Sequence, residues 1–581
     1  MILLLYVFLP FILFILALLD YKKVLYFCSF LSMILLSTLA LVFLTQERVI
    51  HLNITAGFEP LIYLLDIILL LYFAYVGWHN HHKKIITFAV IQLVFYLYAH
   101  AHLLATHTSV LVLDKLAALM LIIINLVGAT IVIYAYRYIQ YETTSPKKKN
   151  FFLSYLWIFI AIMNMLVLAD DLLLFFFFFE LTTLSSYLLI RFREDAISIQ
   201  NALDALMINQ IGGVFLLMGI SMLLYYQLPI DFSAILKNPN PLQIAMVFLA
   251  FAAFVKGAMM PFERWLVGAM VAPTPVSAIL HAATMVKIAP FLILKLAPSF
   301  SQSVAILISL YGAFVFFSSM LKALDKDNFK EILAYSTIAM LALMMSIAAI
   351  GTPYAETIVL YLIFFHALSK AILFMCAGIL EKEYQIRSIN DFENLISKAP
   401  LLAVMILIAF ASLSLPPFGL FFAKIFSIAY LSELIHLNIL YAFVLIFIVM
   451  GSSLMVLLYF KVTSLILVSK RAQQHQSKMH LGFLSGSLFL FVVMAFGIIM
   501  MTLPNPQTLL YIILATLTLI GFFMLLKRSP KIKMDPAHEY YCGEKDPQEL
   551  GNFYFDFTRV SRLILIMCLL FLSALIVAGV S

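Results

Sequence analysis

Six ionisable side chains sit inside otherwise apolar stretches of this chain: Glu180, Lys256, His281, His366, Lys370 and Lys424. A charge at the centre of a membrane helix costs about 2.5–3.5 kcal/mol or more, so these groups are expected to face protein or water rather than lipid. Carboxylate, ammonium and imidazole groups together can take up, pass on and release protons. Glu180 lies in "DDLLLFFFFFELTTLSSYLLIR", where five phenylalanines precede it and Thr183, Ser186 and Tyr187 continue its face. It can titrate or pair with a lysine; a structural ion pair or an interhelical hydrogen bond is the plainer alternative. Lys256, in "FVKGAMMPFERW", is followed by Gly257 and Pro261. Proline removes a backbone donor and clashes with the carbonyl of Gly257, which predicts a kink or break. Broken helices at membrane depth are tolerated where they line a cavity, and a lysine held there can load and unload a proton. A lysine snorkelling from a helix end is the alternative, although Glu263 and Arg264 already mark the interface beyond it.

His281, in "VAPTPVSAILHAATMVKIAP", lies two turns into a helix opened by Pro273 and Pro275. Its imidazole both donates and accepts, as a relay requires, though a lone histidine also serves as a hydrogen-bonded core residue. His366 and Lys370 in "LIFFHALSKAILF" stand four apart on one helical face. Lys424 in "SLSLPPFGLFFAKIF" follows Pro416, Pro417 and a glycine, so a lysine beside a helix break occurs twice. Two copies of one device suggest an internal duplication of the inverted-repeat kind.

The elements that position these residues are membrane helices. Of 581 residues, 64% are hydrophobic and 11% charged, and the mean hydropathy is +1.07. A soluble domain carries roughly a quarter charged residues, so this is an all-α polytopic membrane protein. Spans are predicted near 2–19, 24–44, 60–78, 85–104, 111–136, 151–169, 171–190, 202–227, 243–262, 271–297, 303–323, 331–350, 357–380, 400–427, 434–460, 480–502, 508–527 and 561–580, about eighteen in all. The first lacks a basic n-region and a small-residue cleavage site, and reads as a retained helix rather than a signal peptide. With the N-terminus outside, the inside loops collect Lys22-Lys23, Lys83-Lys84, Arg137 with Lys147 to Lys149, Arg191 with Arg193, Lys326 with Lys330, and Lys461. The outside loops keep only sparse cations such as Arg48 and Lys237, which is the positive-inside asymmetry of a cell-membrane protein. The four cysteines form no CxxC pair, which argues against an iron–sulfur, zinc or disulfide framework in this chain.

Taken together, the segments resemble a known family. "FVKGAMMPFERWLVGAMVAPTPVSAILHAATMVK" is similar to the signature of the proton-conducting, antiporter-like membrane subunits of complex I, Mrp antiporters and energy-converting membrane hydrogenases. "MLVLADDLLLFFFFFELTTLSSYLLI", "KDNFKEILAYSTIAML", "FHALSKAILFMCAG" and "PPFGLFFAK" resemble four further segments of that family, in order across residues 111–430. The resemblance implies two inverted five-helix bundles, each with a broken helix. It implies a Glu180–Lys256 pair, a histidine at His281, the His366 and Lys370 pair, and a terminal lysine at Lys424. Lys330 is a secondary candidate, expected instead as an edge ion pair with Asp327 and Glu331 nearby. In "PPFGLFFAK" the glycine, Gly419, falls one place earlier than in the family, and a second histidine of some relatives is Leu362 here.

The domain organisation expected is 1–110 for N-terminal helices with an extra pair at 60–104, and 111–430 for the antiporter-like core. Then follow 431–527 for C-terminal helices, 528–560 for a cytoplasmic loop and 561–581 for a terminal helix. The loop's "YYCGEK" is similar to a loop of energy-converting hydrogenase membrane subunits. His79, His81 and His82 can bind a metal but read as a solvated loop, and His100 with His107 does not make a haem site. The reading is an ion-translocating subunit, for protons or sodium, of a redox-driven multi-subunit pump. Other antiporter-like membrane subunits and a peripheral redox arm are its expected partners, and nucleic acid is not. Cofactors are expected in partners alone, as iron–sulfur clusters with NiFe or flavin. The alternatives are a Mrp-type sodium/proton antiporter subunit without redox coupling, and a non-conducting membrane scaffold.

Overall fold

A computed structural model describes residues 2–19, 22–46, 49–53, 59–103, 110–238, 241–393, 395–416, 418–467 and 557–580. The expected spans 480–502 and 508–527, the loop 528–556, His107 and Pro417 lie outside the described residues. The described chain is almost entirely helical, with fourteen helices long and apolar enough to cross a membrane. Most are apolar all round, as membrane-buried helices are.

In chain order the helices are α1 (Ile2–Leu18), α2 (Lys22–Gln46), α3 (Glu59–His79) and α4 (Lys83–Ala101). Next come α5 (Lys115–Tyr141), α6 (Pro146–Leu168), α7 (Leu172–Arg193) and α8 (Ala196–Tyr225). The broken pair α9 (Gln243–Lys256) and α10 (Arg264–Gly268) follows, then α11 (Thr274–Ser299), α12 (Gln302–Asp325), α13 (Phe329–Ala348) and α14 (Pro353–Glu383). A second interruption separates α15 (Pro400–Ser414) from α16 (Gly419–Leu434), before α17 (Leu440–Leu467) and α18 (Phe557–Val580). Seven of the core helices start on a residue whose side chain caps them. The side chains of Asp114, Ser145, Asp171, Asp195, Ser301, Asn328 and Thr352 all accept from first-turn amides. Proline opens α6, α14 and α15, where its missing donor costs nothing.

A small antiparallel ribbon, β1 (Ile50–Asn53) with β2 (Val110–Leu113), pairs Ile50 with Leu113 and Asn53 with Val110 on one face of the bundle. That face also holds the Asp171–Asp231 bridge and is poor in lysine; the opposite face carries the lysine-rich loops. The two broken helices run from opposite faces. α9 leaves the lysine-poor face and stops at Lys256, whereas α15 leaves the lysine-rich face and stops at Ser414. Interruptions approached from opposite sides are what an inverted repeat requires. The break expected at Gly257 and Pro261 within the span 243–262 is present: the helix ends at Lys256 and short turns follow.

α5 and α11 occupy the centre, and α11 is buried along its whole apolar stretch. Both depart from α geometry there. A π turn at Ile123–Gly128 packs against a π turn at Ile279–Ala283, which is followed by a 3-10 turn at Met285–Lys287. The hairpin α3–α4 lies on the flank, with α4 along α8 and α3 touching α7. α18 packs against α9 and α12.

Candidate functional site

The Lys256 side chain ends α9 fully buried. Its ammonium group donates to the Phe179 carbonyl at 3.0 Å and to Thr183 Oγ1 at 2.9 Å, and it stands 3.9 Å from the Phe179 ring centroid. Glu180, also fully buried, occupies the same turn of α7. Its Oε1 accepts from Gln92 Nε2 at 3.0 Å, and Gln92 also donates to the Gln210 carbonyl at 3.0 Å. Oε2 has no hydrogen-bond partner among the described residues. The Lys256 ammonium group thus docks on the turn of α7 that carries Glu180, and the two groups attract electrostatically. They form no direct ion pair, since each is held by neutral polar groups; the pairing that the resemblance implies is present as an electrostatic interaction without a contact.

The break beyond Lys256 is enforced by packing. A Cβ on Gly257 would come within 2.8 Å of Ala289 Cβ on α11, so only glycine lets the two backbones meet. Ala258 follows with φ +53°, the left-handed region that turns the chain away from the helix axis. The Val255 carbonyl is taken by Trp265 Nε1 at 3.0 Å, and that of Met260 by the Tyr311 hydroxyl. Side chains thus satisfy carbonyl groups on either side of the break, where the regular helix hydrogen bonds stop.

A second station lies between α11 and α14. His281 is buried on the π turn, its ring 4.9 Å from Phe374, with neither nitrogen hydrogen-bonded to a described residue. Lys287, one helical step further along, is fully buried and meets His366 Nδ1 at 2.8 Å. Lys370 donates to the Leu333 carbonyl at 3.0 Å and to Ser336 on α13. His281, Lys287, His366 and Lys370 lie within electrostatic range of one another. No acidic side chain among the described residues bonds to any of them. Four basic groups with no carboxylate cannot all be charged in a dry interior, so this station suits a proton that is shared or passing.

The third station is Lys424, on α16 just past the second break, 3% exposed and 3.6 Å from Met455 Sδ. Between it and Lys370, Ser412 of α15 donates to Ser369 of α14 at 2.6 Å. Gly419 opens α16 against Phe365, where a Cβ would overlap the ring; that contact is the structural reason for its place in the motif. Among the described residues no hydrogen bond joins Lys256 to His281 or Lys370 to Lys424. The six expected residues form three stations rather than one wire.

Lys330 belongs elsewhere. On the lysine-rich face it pairs with Glu381 at 2.7 Å, not with Asp327 or Glu331. Glu381 also receives Thr274 and lies near Arg193 and Arg387. Glu142 joins Arg193 at 2.9 Å and Lys382 at 2.8 Å. Burial works against a charged Glu142, but the hydrogen bonds from Lys382 and Arg193 outweigh it and hold the carboxyl below its ordinary range. This cluster clamps α5, α7, α11, α13 and α14 at their ends.

The sequence reading passes over Lys287, although its signal is that of the others: an ionisable group inside an apolar span. Gln92 and Gly213 carry no such signal. Gly213 matters because a Cβ there would overlap Glu180 Oε1 and Gln92 Nε2. Among the described residues no group of three or more His, Cys, Asp or Glu side chains is placed to hold a metal ion.

Residues 169–454 match the family described as "NADH:quinone oxidoreductase/Mrp antiporter, TM". Over those residues, with the broken helices and buried lysines, the chain is similar to the antiporter-like membrane subunits of the complex I/Mrp family. The Na(+)/H(+) antiporter subunit A1 of Staphylococcus haemolyticus is 32% identical over 352 residues, covering 57% of this chain and 43% of that protein. That of Staphylococcus aureus (strain JH9) is 33% identical over 337 residues, covering 54% and 42%. The chain thus spans less than half the length of these curated relatives. Among solved structures, a chain of the membrane-bound sulfane sulfur reductase, an archaeal respiratory membrane complex, aligns with TM-score 0.70 at 16% identity, covering 88% of this chain and 96% of that one. A chain of the Mrp complex from Dietzia sp. DQ12-45-1b aligns with TM-score 0.59 at 19% identity, covering 74% and 93%. At these identities the likeness is one of fold.

Proposed function

We propose that this chain is the ion-conducting membrane subunit of a multi-subunit assembly, moving protons or coupling them to sodium across the cell membrane. The observation that carries the reading is the docking of Lys256, at the broken end of α9, on the turn of α7 that carries Glu180, both residues fully buried. When Glu180 is near, its negative charge stabilises the Lys256 ammonium. When a neighbouring charge draws Glu180 away, Lys256 releases its proton towards His281 and the Lys287–His366 pair. Lys370 and Lys424 continue the path to the second break. Each pKa unit of change is worth about 1.4 kcal/mol, so a modest displacement suffices.

The energy source would be a redox arm in partner subunits, bearing iron–sulfur clusters with NiFe or flavin, as in an energy-converting hydrogenase or complex I-like assembly. The N-terminus would lie outside the cell. A second reading, a Mrp-type subunit of a sodium/proton antiporter without redox coupling, is favoured by the names of the relatives that share 32–33% identity. The assembled complex in membrane vesicles tests both. Lys256→Ala and Lys424→Ala should each abolish coupled ion uptake; undiminished uptake in both variants refutes the conduction path. Uptake driven by an electron donor supports the redox arm, whereas sodium-gradient-driven proton movement alone supports the antiporter.

A further inference from the structure

The hairpin α3–α4 lies outside the family match and carries an acidic group of its own. Asp66, in the middle third of α3, is 1% exposed; the Tyr96 side chain interacts with it, but neither carboxylate oxygen completes a well-formed hydrogen bond with a described residue. Seven residues separate it from Glu59 at the helix start, which places it about 10 Å below the lysine-poor surface. A buried carboxylate with Tyr96 as its one neutral partner is poorly compensated, so its position calls for an occupant.

Asp66 forms the floor of a cavity of about 70 Å³ between α3, α4 and the start of α7, whose polar walls are Glu59, Tyr63, Tyr96, His100 and Asp171. A single water's share of liquid volume is about 30 Å³, so the space suits two waters or one small cation with a remnant of its hydration shell. His100 is exposed and Glu59 and Tyr63 are half-buried, which sets the mouth at that end. Tyr63 stacks on His100 with centroids 3.8 Å apart. At the inner end Tyr96 of α4 stacks on Phe176 of α7, centroids 5.8 Å apart. One turn further inward on the same two helices are Gln92 and Glu180, joined by their 3.0 Å hydrogen bond. Asp66 is within electrostatic reach of both Glu180 and Asp171.

We propose that this cavity is a monovalent-cation access site, connecting the lysine-poor face to Glu180. Asp66 binds the ion there, and the Tyr96–Phe176 pair gates its passage. If the ion is a proton, water in the cavity protonates the Asp66 carboxylate. The proton then passes to the Glu180 carboxylate through water admitted when the ring pair parts, and Asp66 returns to its charged form. If the ion is sodium, Asp66 supplies the counter-charge and the cavity waters the remaining oxygen ligands. The inference rests on the conduction reading above, which names no route between Glu180 and either face.

The test uses the whole complex in sided vesicles. Asp66→Asn should lower coupled flux about tenfold or more, a loss of the size expected for a proton-transfer group. Uptake within twofold of the parent in Asp66→Asn, with Lys256→Ala inactive, would overturn the access site and leave the conduction reading standing. Activity retained in Lys256→Ala would instead strike the conduction reading. A second measurement does not depend on flux. With the native cysteines replaced, Tyr63→Cys should react with a membrane-impermeant thiol reagent from the lysine-poor side alone. Protection by 100 mM NaCl, but not by equal choline chloride, assigns the ion as sodium; equal labelling in both assigns the proton. A Tyr63→Cys protein that labels from neither side, or from the lysine-rich side, overturns the proposal.

Discussion

The Lys256 ammonium group donates to the carbonyl of Phe179, the residue immediately before Glu180, at 3.0 Å, while the Glu180 carboxylate turns to Gln92. The two groups therefore meet at one turn of α7, Glu180 as part of it and Lys256 reaching it from α9, without sharing a bond. Their attraction can change by side-chain movement alone, because no hydrogen bond between them has to break. Glycine at 213 keeps the carboxylate in this position from the facing helix.

Gly213→Ala is expected to separate Gln92 from Glu180, because the added methyl occupies the space of their hydrogen bond. Overpacking of this kind costs about 1–3 kcal/mol. A thermal shift of the purified protein should show the loss, and coupled flux should fall as in Glu180→Gln. Unchanged flux in a folded Gly213→Ala protein would show that the Gln92 bond is dispensable.

Lys287 and His366 are expected to act as one unit, given their 2.8 Å contact in a fully buried setting. Lys287→Met and His366→Leu should each lower flux on the order of tenfold, and the double variant should be little worse than the poorer single one. Multiplicative losses across that cycle would mean the two residues serve separate steps.

The lysine-rich edge predicts a different phenotype. Glu381→Gln weakens the 2.7 Å pair with Lys330, whose side chains are only 7% and 13% exposed. Losing one partner of a buried pair costs about 3–5 kcal/mol. The yield of assembled protein should therefore fall, while flux per assembled complex stays near the parent value. Normal yield with selective loss of flux would move Lys330 into the conduction path.

Glu142 sets an acid limit on that same cluster. Its carboxyl is held below the ordinary range by Lys382 and Arg193 despite the opposing effect of burial. The stabilisation is then complete above the unfolded value of about 4.3, and is lost as pH falls through the lower folded value. Unfolding midpoints measured from pH 7 to pH 3 should drop on the acid side, and Glu142→Gln should be less stable at pH 7 with a flatter acid limb. Identical acid limbs in both proteins would exclude Glu142 as the titrating group.

The helical class, the two interruptions and the buried lysines were all legible because each leaves a local mark: an apolar run, a proline or glycine, a charge where lipid should be. The break after Lys256 was readable from Gly257 and Pro261 alone. The absence of a direct Glu180–Lys256 bond was not, since it depends on where Gln92, 88 positions earlier, arrives in space. Lys330 shows the same limit. Its nearest acids in sequence are Asp327 and Glu331, but the chain fold delivers Glu381 instead. Long-range neighbours of this sort are set by helix packing, which periodicity does not encode.

The interruption in α11 also solves a problem of phase. Thr274 bonds to Glu381 and Lys287 to His366, so two residues thirteen positions apart reach the same neighbouring helix. In an unbroken α-helix thirteen residues rotate the chain by about 1,300°, leaving the second side chain some 220° away from the first. One of them would then face away from α14. The π turn at Ile279–Ala283, with the irregular residue Thr284 and the 3-10 turn after it, changes that rotation. The irregular turns let a single helix present an anchor at the membrane edge and a buried lysine at its core to one partner.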